Sequence, residues 1–504
     1  MLYVASAQAA TAQLGAVKCD FYGRETLVIN KFTRLELHTI EEDGSLELVE
    51  EIPIWSGISA IASGTEHSSI VVLTTCLRLF VLAFQPHSVP KVQTVSSISI
   101  AEPFGRVSEY QTISVDPHGR CLVVHAYDGL VRIVPLGSNH SSPSSSSSKS
   151  TRRGSSTSKK AIDASPFDLD NSYNVRVSNL NVTSLALLTT KLDAAPAFSL
   201  VFTDHTGAKT LTTYNIDLEE KDIEEGPVPT EVLQDPGSEI CLGLPDRAGV
   251  LVVGEESVTF FDVEGVAEDT KGKRKAAQGR KLVKCSLPLA RITSYAFISR
   301  ERLLLGDIFG KLFLVDISFR SGTIESLKAT DLGDTTSPTS IVPLTSSLVY
   351  LTSRFGDAQL VKLPSGTVPD DSTAMQEDEN AEQELQLLAS YPNLAPIVDS
   401  CVVGGDGGSA GYVVTCSGAY KTGSLRVVRR GVGFNEEATI DMEGVQRMWS
   451  LDNGSSQYLV LGFFDETRIL QISRLTDGGD DEFDVEETEL SPFRGDVVTP
   501  RIST

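Results

Sequence analysis

Short runs of Val, Ile, Leu and Thr recur along the chain, each closed by Gly, Asp, Asn, Ser or Pro. Very few windows sustain an apolar period of about 3.6 residues over the length of a helix. The pattern predicts strands joined by tight turns, with clear runs at Leu27–Ile29, Ile70–Leu73, Leu77–Phe84, Cys121–His125, Val131–Leu136, Leu185–Leu188, Leu251–Val253 and Ser257–Phe261. One unit repeats: an apolar strand, a short polar turn with Gly or Asp, and a second apolar strand. It is read at 121–136, 302–317, 348–363, 412–428 and 458–472. Gly310 and Gly356, in matching turns, are 46 residues apart. With inserted stretches set aside, the period is about 40–50 residues, the size of one four-stranded propeller blade. A lone blade leaves both faces bare, so blades pack on one another until the ring closes. A set of β-sandwiches would carry similar strand signals, and no Trp-Asp dipeptide marks the repeat.

Several segments break the pattern. Residues 138–160 are Ser-rich and slightly basic, and cannot supply a core. Residues 366–388 carry Asp370, Asp371, Glu377, Asp378, Glu379, Glu382 and Glu384, which reads as a solvated acidic loop with a short helix allowed over 381–388. A third acidic run at 478–489 reads as an exposed loop with strand-like edges. The loop at 265–284 holds Lys271, Lys273, Arg274 and Lys275, the one dense basic run. It reads either as a nuclear-import or nucleic-acid patch or as a solvated turn. Trp55 and Trp449 are expected to pack between blades.

Composition narrows the function. The chain has 504 residues, 40% of them apolar, so a sizeable core is available and global disorder is excluded. Lys and Arg total 43 against 67 Asp and Glu, a net charge of −24. A surface built throughout to grip phosphates is excluded by that balance. No stretch has the 18–20 apolar residues of a membrane helix, and no secretory signal is visible at the amino terminus. The seven cysteines are scattered without a Cys-x-x-Cys pair, which predicts buried reduced thiols. The histidines show no metal-ligand spacing, and no phosphate-binding glycine loop or nucleophile elbow occurs. The reading is therefore a non-enzymatic strand-repeat protein with no cofactor, no membrane partner and no small-molecule substrate.

Seven stretches in order say more than generic β-structure. They are Thr33–Leu37, Tyr127–Leu136, Leu304–Phe313, Ser353–Leu363 (Ser-Arg-Phe-Gly-Asp-Ala-Gln-Leu-Val-Lys-Leu), Asn393–Asp399 (Asn-Leu-Ala-Pro-Ile-Val-Asp), Thr415–Arg429 (Thr-Cys-Ser-Gly-Ala-Tyr-Lys-Thr-Gly-Ser-Leu-Arg-Val-Val-Arg) and Gly431-Val-Gly433. Over about 1–495 the chain resembles the amino-terminal part of the damaged-DNA-binding protein 1 family, the adaptors of cullin-4 ubiquitin ligases. Cousins of that family serve in splicing (splicing factor 3B subunit 3) and polyadenylation (the large cleavage and polyadenylation specificity factor subunit). The chain is read as a fungal, truncated member.

The resemblance implies an all-β fold: a seven-bladed β-propeller over 1–430, then the beginning of a second, incomplete propeller over 431–504. It implies an adaptor that links WD40-type substrate receptors to a cullin-4 RING ligase in DNA repair and protein ubiquitination. The cullin would be held by the second propeller if complete, and DNA would be met mainly through a receptor. The implied location is the nucleus, and also the cytoplasm. By position, receptor binding would fall to Arg354 and Phe355, to Pro396, Ile397 and Val398, and to Ala419 and Tyr420. The family more often has Leu at the Phe355 position and Phe at the Tyr420 position. Ile397 and Val398 also read as plain blade core. The alternative function is an RNA-processing scaffold of the same superfamily.

Overall fold

A computed structural model describes residues 9–488, except 22, 42–44, 65–68, 86–90, 137–166, 193, 227, 263–281, 321–322, 365–384, 404–411, 430–441, 443, 453–456, 464–465 and 476–481. The Ser-rich insert, the basic residues Lys271, Lys273, Arg274 and Lys275, and most of the acidic insert lie outside the described residues.

The described strands form antiparallel sheets, most with four strands taken in sequence order. Sheets 1 to 7 span residues 15–53, 58–99, 107–176, 182–232, 240–286, 292–334 and 340–391. Sheet 4 has a fifth short strand, Glu231–Val232, paired with its third. Sheet 8 spans 397–428 and has three strands. The all-β expectation holds, and the sheets have the arrangement of propeller blades.

The second strand of a sheet shows why the pattern was readable. Ser69–Thr74, Cys121–Tyr127 and Gly249–Val253 are buried at every position. A strand covered on both faces reads as a continuous apolar run. Outer strands differ. Leu46–Pro53 has no buried position, only half-buried and exposed ones.

The core is distributed between sheets. Cys19, Phe21 and Val28 of sheet 1 pack with Ile58, Ile70 and Val72 of sheet 2. Equivalent clusters join sheets 2 and 3, 3 and 4, 4 and 5, 5 and 6, and 6 and 7. A further one joins sheet 7 back to sheet 1, through Val342, Tyr350 and Leu360 against Ala16, Leu27 and Ile29. First strands of most neighbouring sheets touch, including the first strands of sheets 1 and 7, Gly15–Phe21 and Ser340–Pro343.

Polar contacts hold the same seam. The buried Tyr350 hydroxyl donates to Gln13 Oε1 at 2.9 Å, and Gln13 N donates to Ser353 O at 3.2 Å. Lys18 Nζ donates to Leu344 O at 2.8 Å, and Thr11 Oγ1 to Asn393 Oδ1 at 3.0 Å.

The chain divides into two compact units, residues 1–407 with 412–428, and residues 408–411 with 429–504. The second holds one four-stranded sheet: Arg447–Asp452, Gln457–Gly462, Thr467–Leu475 and Glu482–Glu487. Val460, Leu461, Ile469 and Leu470 are buried in it.

Several expectations are corrected. Gln386–Tyr391 is the outer strand of sheet 7, so the last residues of the expected short helix are extended. Glu482–Glu487, expected as loop with strand-like edges, is strand throughout and pairs with Thr467–Leu475. In both cases pairing to a neighbouring strand decides the conformation, over local helix preference in the first and over charge in the second. Trp55 is 97% exposed and does not pack between sheets, because it sits on the connection from sheet 1 to sheet 2. Of the seven free cysteines, Cys19, Cys121 and Cys241 are buried, while Cys76, Cys401 and Cys416 are exposed.

Candidate functional site

In a four-stranded antiparallel sheet, the turn after the second strand and the connection leaving the fourth lie at the same end. One face of the first unit is built from these segments. Backbone hydrogen bonds tie each turn to the adjoining connection: Ile54 N to Thr33 O, Thr75 N to Gly57 O, Val177 N to Gly129 O, Ile308 N to Arg291 O, and Thr335 N to Gly310 O. Phe32, Trp55, Phe104, Phe309 and Tyr420 are large exposed aromatics on this face.

The residues expected to bind a receptor sit where sheets 6, 7 and 8 meet on that face. Phe355 lies in the turn between Leu348–Thr352 and Ala358–Lys362. Its ring meets the Tyr420 ring edge-on at 5.5 Å. Tyr420 meets Phe309, from the matching turn of sheet 6, at 5.9 Å and nearly perpendicular. The Arg354 guanidinium lies 5.6 Å from the Phe355 ring centroid. Such edge-to-face pairs add about 0.5–1.5 kcal/mol each beyond burial.

The segment 418–422 is clamped over the turn. Ala419 N donates to Phe355 O at 3.0 Å, and Gly418 N to Pro396 O at 3.0 Å. The Thr422 hydroxyl lies 2.7 Å from Phe355 O and 2.6 Å from Ala419 O. Gly418 has φ of 85°, which suits glycine. A Cβ on Gly356 would stand 2.7 Å from Thr422 Cβ. Ion pairs flank the cluster, Lys421 with Asp334 at 3.3 Å and Arg426 with Asp357 at 2.8 Å.

The Asn393–Asp399 motif finds its reason here. The Asn393 side chain donates to Ser353 O and Gly356 O and accepts from Ala395 N and Thr11. Its backbone N donates to Asp357 Oδ1 at 2.8 Å. One buried amide thus fixes the turn of Phe355, the approach to Pro396 and the start of the chain.

The structure therefore brings together Arg354, Phe355, Pro396, Ala419 and Tyr420. Ile397 follows by pairing with Ser417, and Val398 lies at a register shift of the same strand pair. Both are exposed, at 51% and 79%, so the reading of them as blade core is corrected. Within the first unit, the described hydrophobic clusters between sheets take in no residue of sheet 8. Phe309 was missed. Its signal was in the sequence, because Phe309-Gly310 and Phe355-Gly356 occupy the same place in successive repeats.

The cluster offers an apolar, aromatic surface with a guanidinium at its edge and no reactive group. Among the described residues no group of His, Cys, Asp or Glu could hold a metal ion. Burial pushes the Cys241 thiol up and the His125 imidazole down. Cys241 hydrogen-bonds Ser184 and Ser199, and His125 Nδ1 is 2.8 Å from Tyr110 O. These are inert core groups, since a reactive cysteine needs a lowered pKa.

Comparison with known proteins matches the geometry. Residues 13–392 match the family model described as the RSE1/DDB1/CPSF1 first beta-propeller. DNA damage-binding protein 1a of Arabidopsis thaliana is 29% identical over 483 residues, which cover 94% of this chain and 38% of the relative. DNA damage-binding protein 1 of Oryza sativa subsp. japonica is 29% identical over 511 residues, covering 99% of this chain and 41% of the relative. The chain thus spans about two fifths of the length of these relatives. With the matched stretch covering sheets 1 to 7, the chain belongs to the RSE1/DDB1/CPSF1 first beta-propeller family.

Proposed function

We propose that the chain is a non-catalytic adaptor that receives a helix from a WD40-type substrate receptor and links it to a cullin-4 RING ubiquitin ligase, in DNA repair. The observation that carries this is the aromatic cluster of exposed Phe309 and Tyr420 and half-buried Phe355, with Arg354 beside it, on a face of a matched family propeller. Aromatics and Arg are the side chains that concentrate binding energy at interfaces. An amphipathic helix laid on an apolar surface is a recurring recognition mode. Bringing receptor and ligase together would raise the local concentration of substrate, with no chemistry at the adaptor.

The same proposal includes seven blades over 1–430, a second propeller starting at 431, nuclear and cytoplasmic location, and indirect contact with DNA. Lys271, Lys273, Arg274 and Lys275 would serve nuclear import. Seven sheets with inter-sheet clusters that return to sheet 1 support the blade count.

The test is fluorescence anisotropy with labelled helical peptides from WD40-type receptors. Phe355→Ala and Tyr420→Ala should each weaken binding about ten-fold. Absence of binding to every such helix would sink the adaptor reading. The matched family model names RSE1 and CPSF1 beside DDB1, which keeps an RNA-processing scaffold as the second reading. Co-purification of RNA-processing subunits, with no cullin-4 receptor, would favour that scaffold role instead.

A further inference from the structure

A second set of aromatics occupies the same face on other sheets. Trp55 lies on the connection from sheet 1 to sheet 2, and Phe104 on the connection from sheet 2 to sheet 3. Both side chains are essentially fully exposed. Pro53, Pro103, Val107 and Leu180 are exposed beside them along the same run of turns.

The exposure is built in. On sheet 1, the Phe32 ring lies over Gly57, where a Cβ would stand 2.7 Å from the ring. Ile58 N donates to Phe32 O at 2.7 Å, and Thr75 N to Gly57 O at 2.8 Å. On sheet 3, the Tyr127 ring lies over Gly105, where a Cβ would stand 2.5 Å from it. The Tyr127 hydroxyl accepts from Glu102 N at 2.7 Å. The two connections share one construction: an aromatic in a turn (Phe32) or at the strand end before it (Tyr127) clamps a glycine, and a neighbouring large ring is left pointing to water. Rings held out on pinned backbone lose little freedom on binding, which favours affinity.

The charges around them run against the chain as a whole. Glu102 is paired with Arg132 and Asn174, Asp128 with Arg106, and Glu51 with Arg34, which leaves Glu109 as an exposed carboxylate without an ion pair among the described residues. Arg106 keeps 79% of its side chain exposed. Arg78 and Arg176 are exposed at the same end of their strands and make no ion pair among the described residues. An excess of guanidinium beside apolar rings, on a chain of net charge −24, selects for an acidic partner at this place and repels it elsewhere.

We propose that Trp55 and Phe104, with Arg78, Arg106 and Arg176, form a second docking surface for a peptide segment of a partner protein that carries bulky apolar anchors flanked by Asp or Glu. It lies on sheets 1 to 3 and shares no residue with the cluster of Phe309, Phe355 and Tyr420, so its failure leaves the adaptor reading untouched.

The test uses the full chain as bait for a phage-displayed library of random 12-residue peptides, with the Trp55→Ala/Phe104→Ala double variant as counter-selection. Both substituted side chains are solvent-exposed, and far-ultraviolet circular dichroism confirms that the variant is folded. The expected outcome is enrichment of peptides with two apolar anchors and acidic flanks. In fluorescence anisotropy, the double variant and Arg106→Glu/Arg176→Glu should each lower the affinity of an enriched peptide about ten-fold or more. Rising salt should weaken it, and the Trp55 emission should shift on binding in a Trp449→Phe background. The proposal is overturned if no peptide survives counter-selection, if basic peptides are enriched, or if the arginine reversal has no effect. It is also overturned if a fifteen-residue oligo(dT) binds through Trp55 and Phe104, which would make the surface one for single-stranded nucleic acid. Self-association of the bait that the double variant abolishes would show a second copy as the occupant, and overturns it as well.

Discussion

Glu36 shows how one buried charge is held in this chain. Burial by itself would raise its carboxyl. Hydrogen bonds from His38 and Lys31, the Lys31 charge and a hydrogen bond from Arg34 together outweigh it and hold the group at about 2. A carboxyl whose folded pKa is depressed gives stability that is present above its unfolded value, about 4.3, and is lost as pH falls toward the folded one. Unfolding free energy should therefore decline between about pH 4.5 and pH 2, by on the order of 2–3 kcal/mol from this group. Glu36→Gln should flatten that decline in urea titrations at stepped pH, at the cost of lower stability at pH 7. At the candidate site, Gly356→Ala would drive a methyl into Thr422. Faster amide exchange over 418–422 is the expected result, and unchanged exchange would show that the clamp does not depend on that glycine.

The strand-turn-strand units visible in the sequence are the second and third strands of their sheets, such as Arg302–Asp307 with Lys311–Arg320. Packing between neighbouring sheets makes them apolar at nearly every position, so they stand out. The outer strand Gln386–Tyr391 was missed because its Leu-Leu-Ala run also suits a short helix and only one of its edges is paired, and Glu482–Glu487 was read as loop because its side chains are mostly charged. At the site, the residues quoted from the two motifs did converge, because the Asn393 amide and the Thr422 hydroxyl bind backbone oxygens of the turn that carries Phe355. Trp55 misled because size suggests burial, while only its place on a connection decides exposure. Stability should divide the same way. Phe198, fully buried between sheets 3 and 4, should cost about 3–5 kcal/mol as Phe198→Ala, read as a lower urea midpoint at constant slope. Leu48→Ser, on the exposed outer strand of sheet 1, should stay within about 0.5 kcal/mol.

Across the first unit, closure falls on the seam between sheets 7 and 1. Tyr350→Phe would leave the Gln13 carbonyl without its buried donor, which costs about 1–2 kcal/mol. Removing residues 1–13 should cost more, since it also strips the Thr11 contact from Asn393 and the backbone bond from Gln13 to Ser353. Thermal unfolding of the two variants orders them, and an equal loss would show that Tyr350 carries the seam by itself.

Each of sheets 1 to 7 takes its described strands from one stretch of chain, and among the described strands none is lent from one end of the sequence to a sheet at the other. Residues 11 and 393 already touch across the seam. The order in which the ring is threaded is thus arbitrary. A circular permutant that joins these two points with a short linker and opens instead at the connection between sheets 4 and 5 should fold to the same ring, and whole-sheet cassettes should be the natural unit of exchange between relatives.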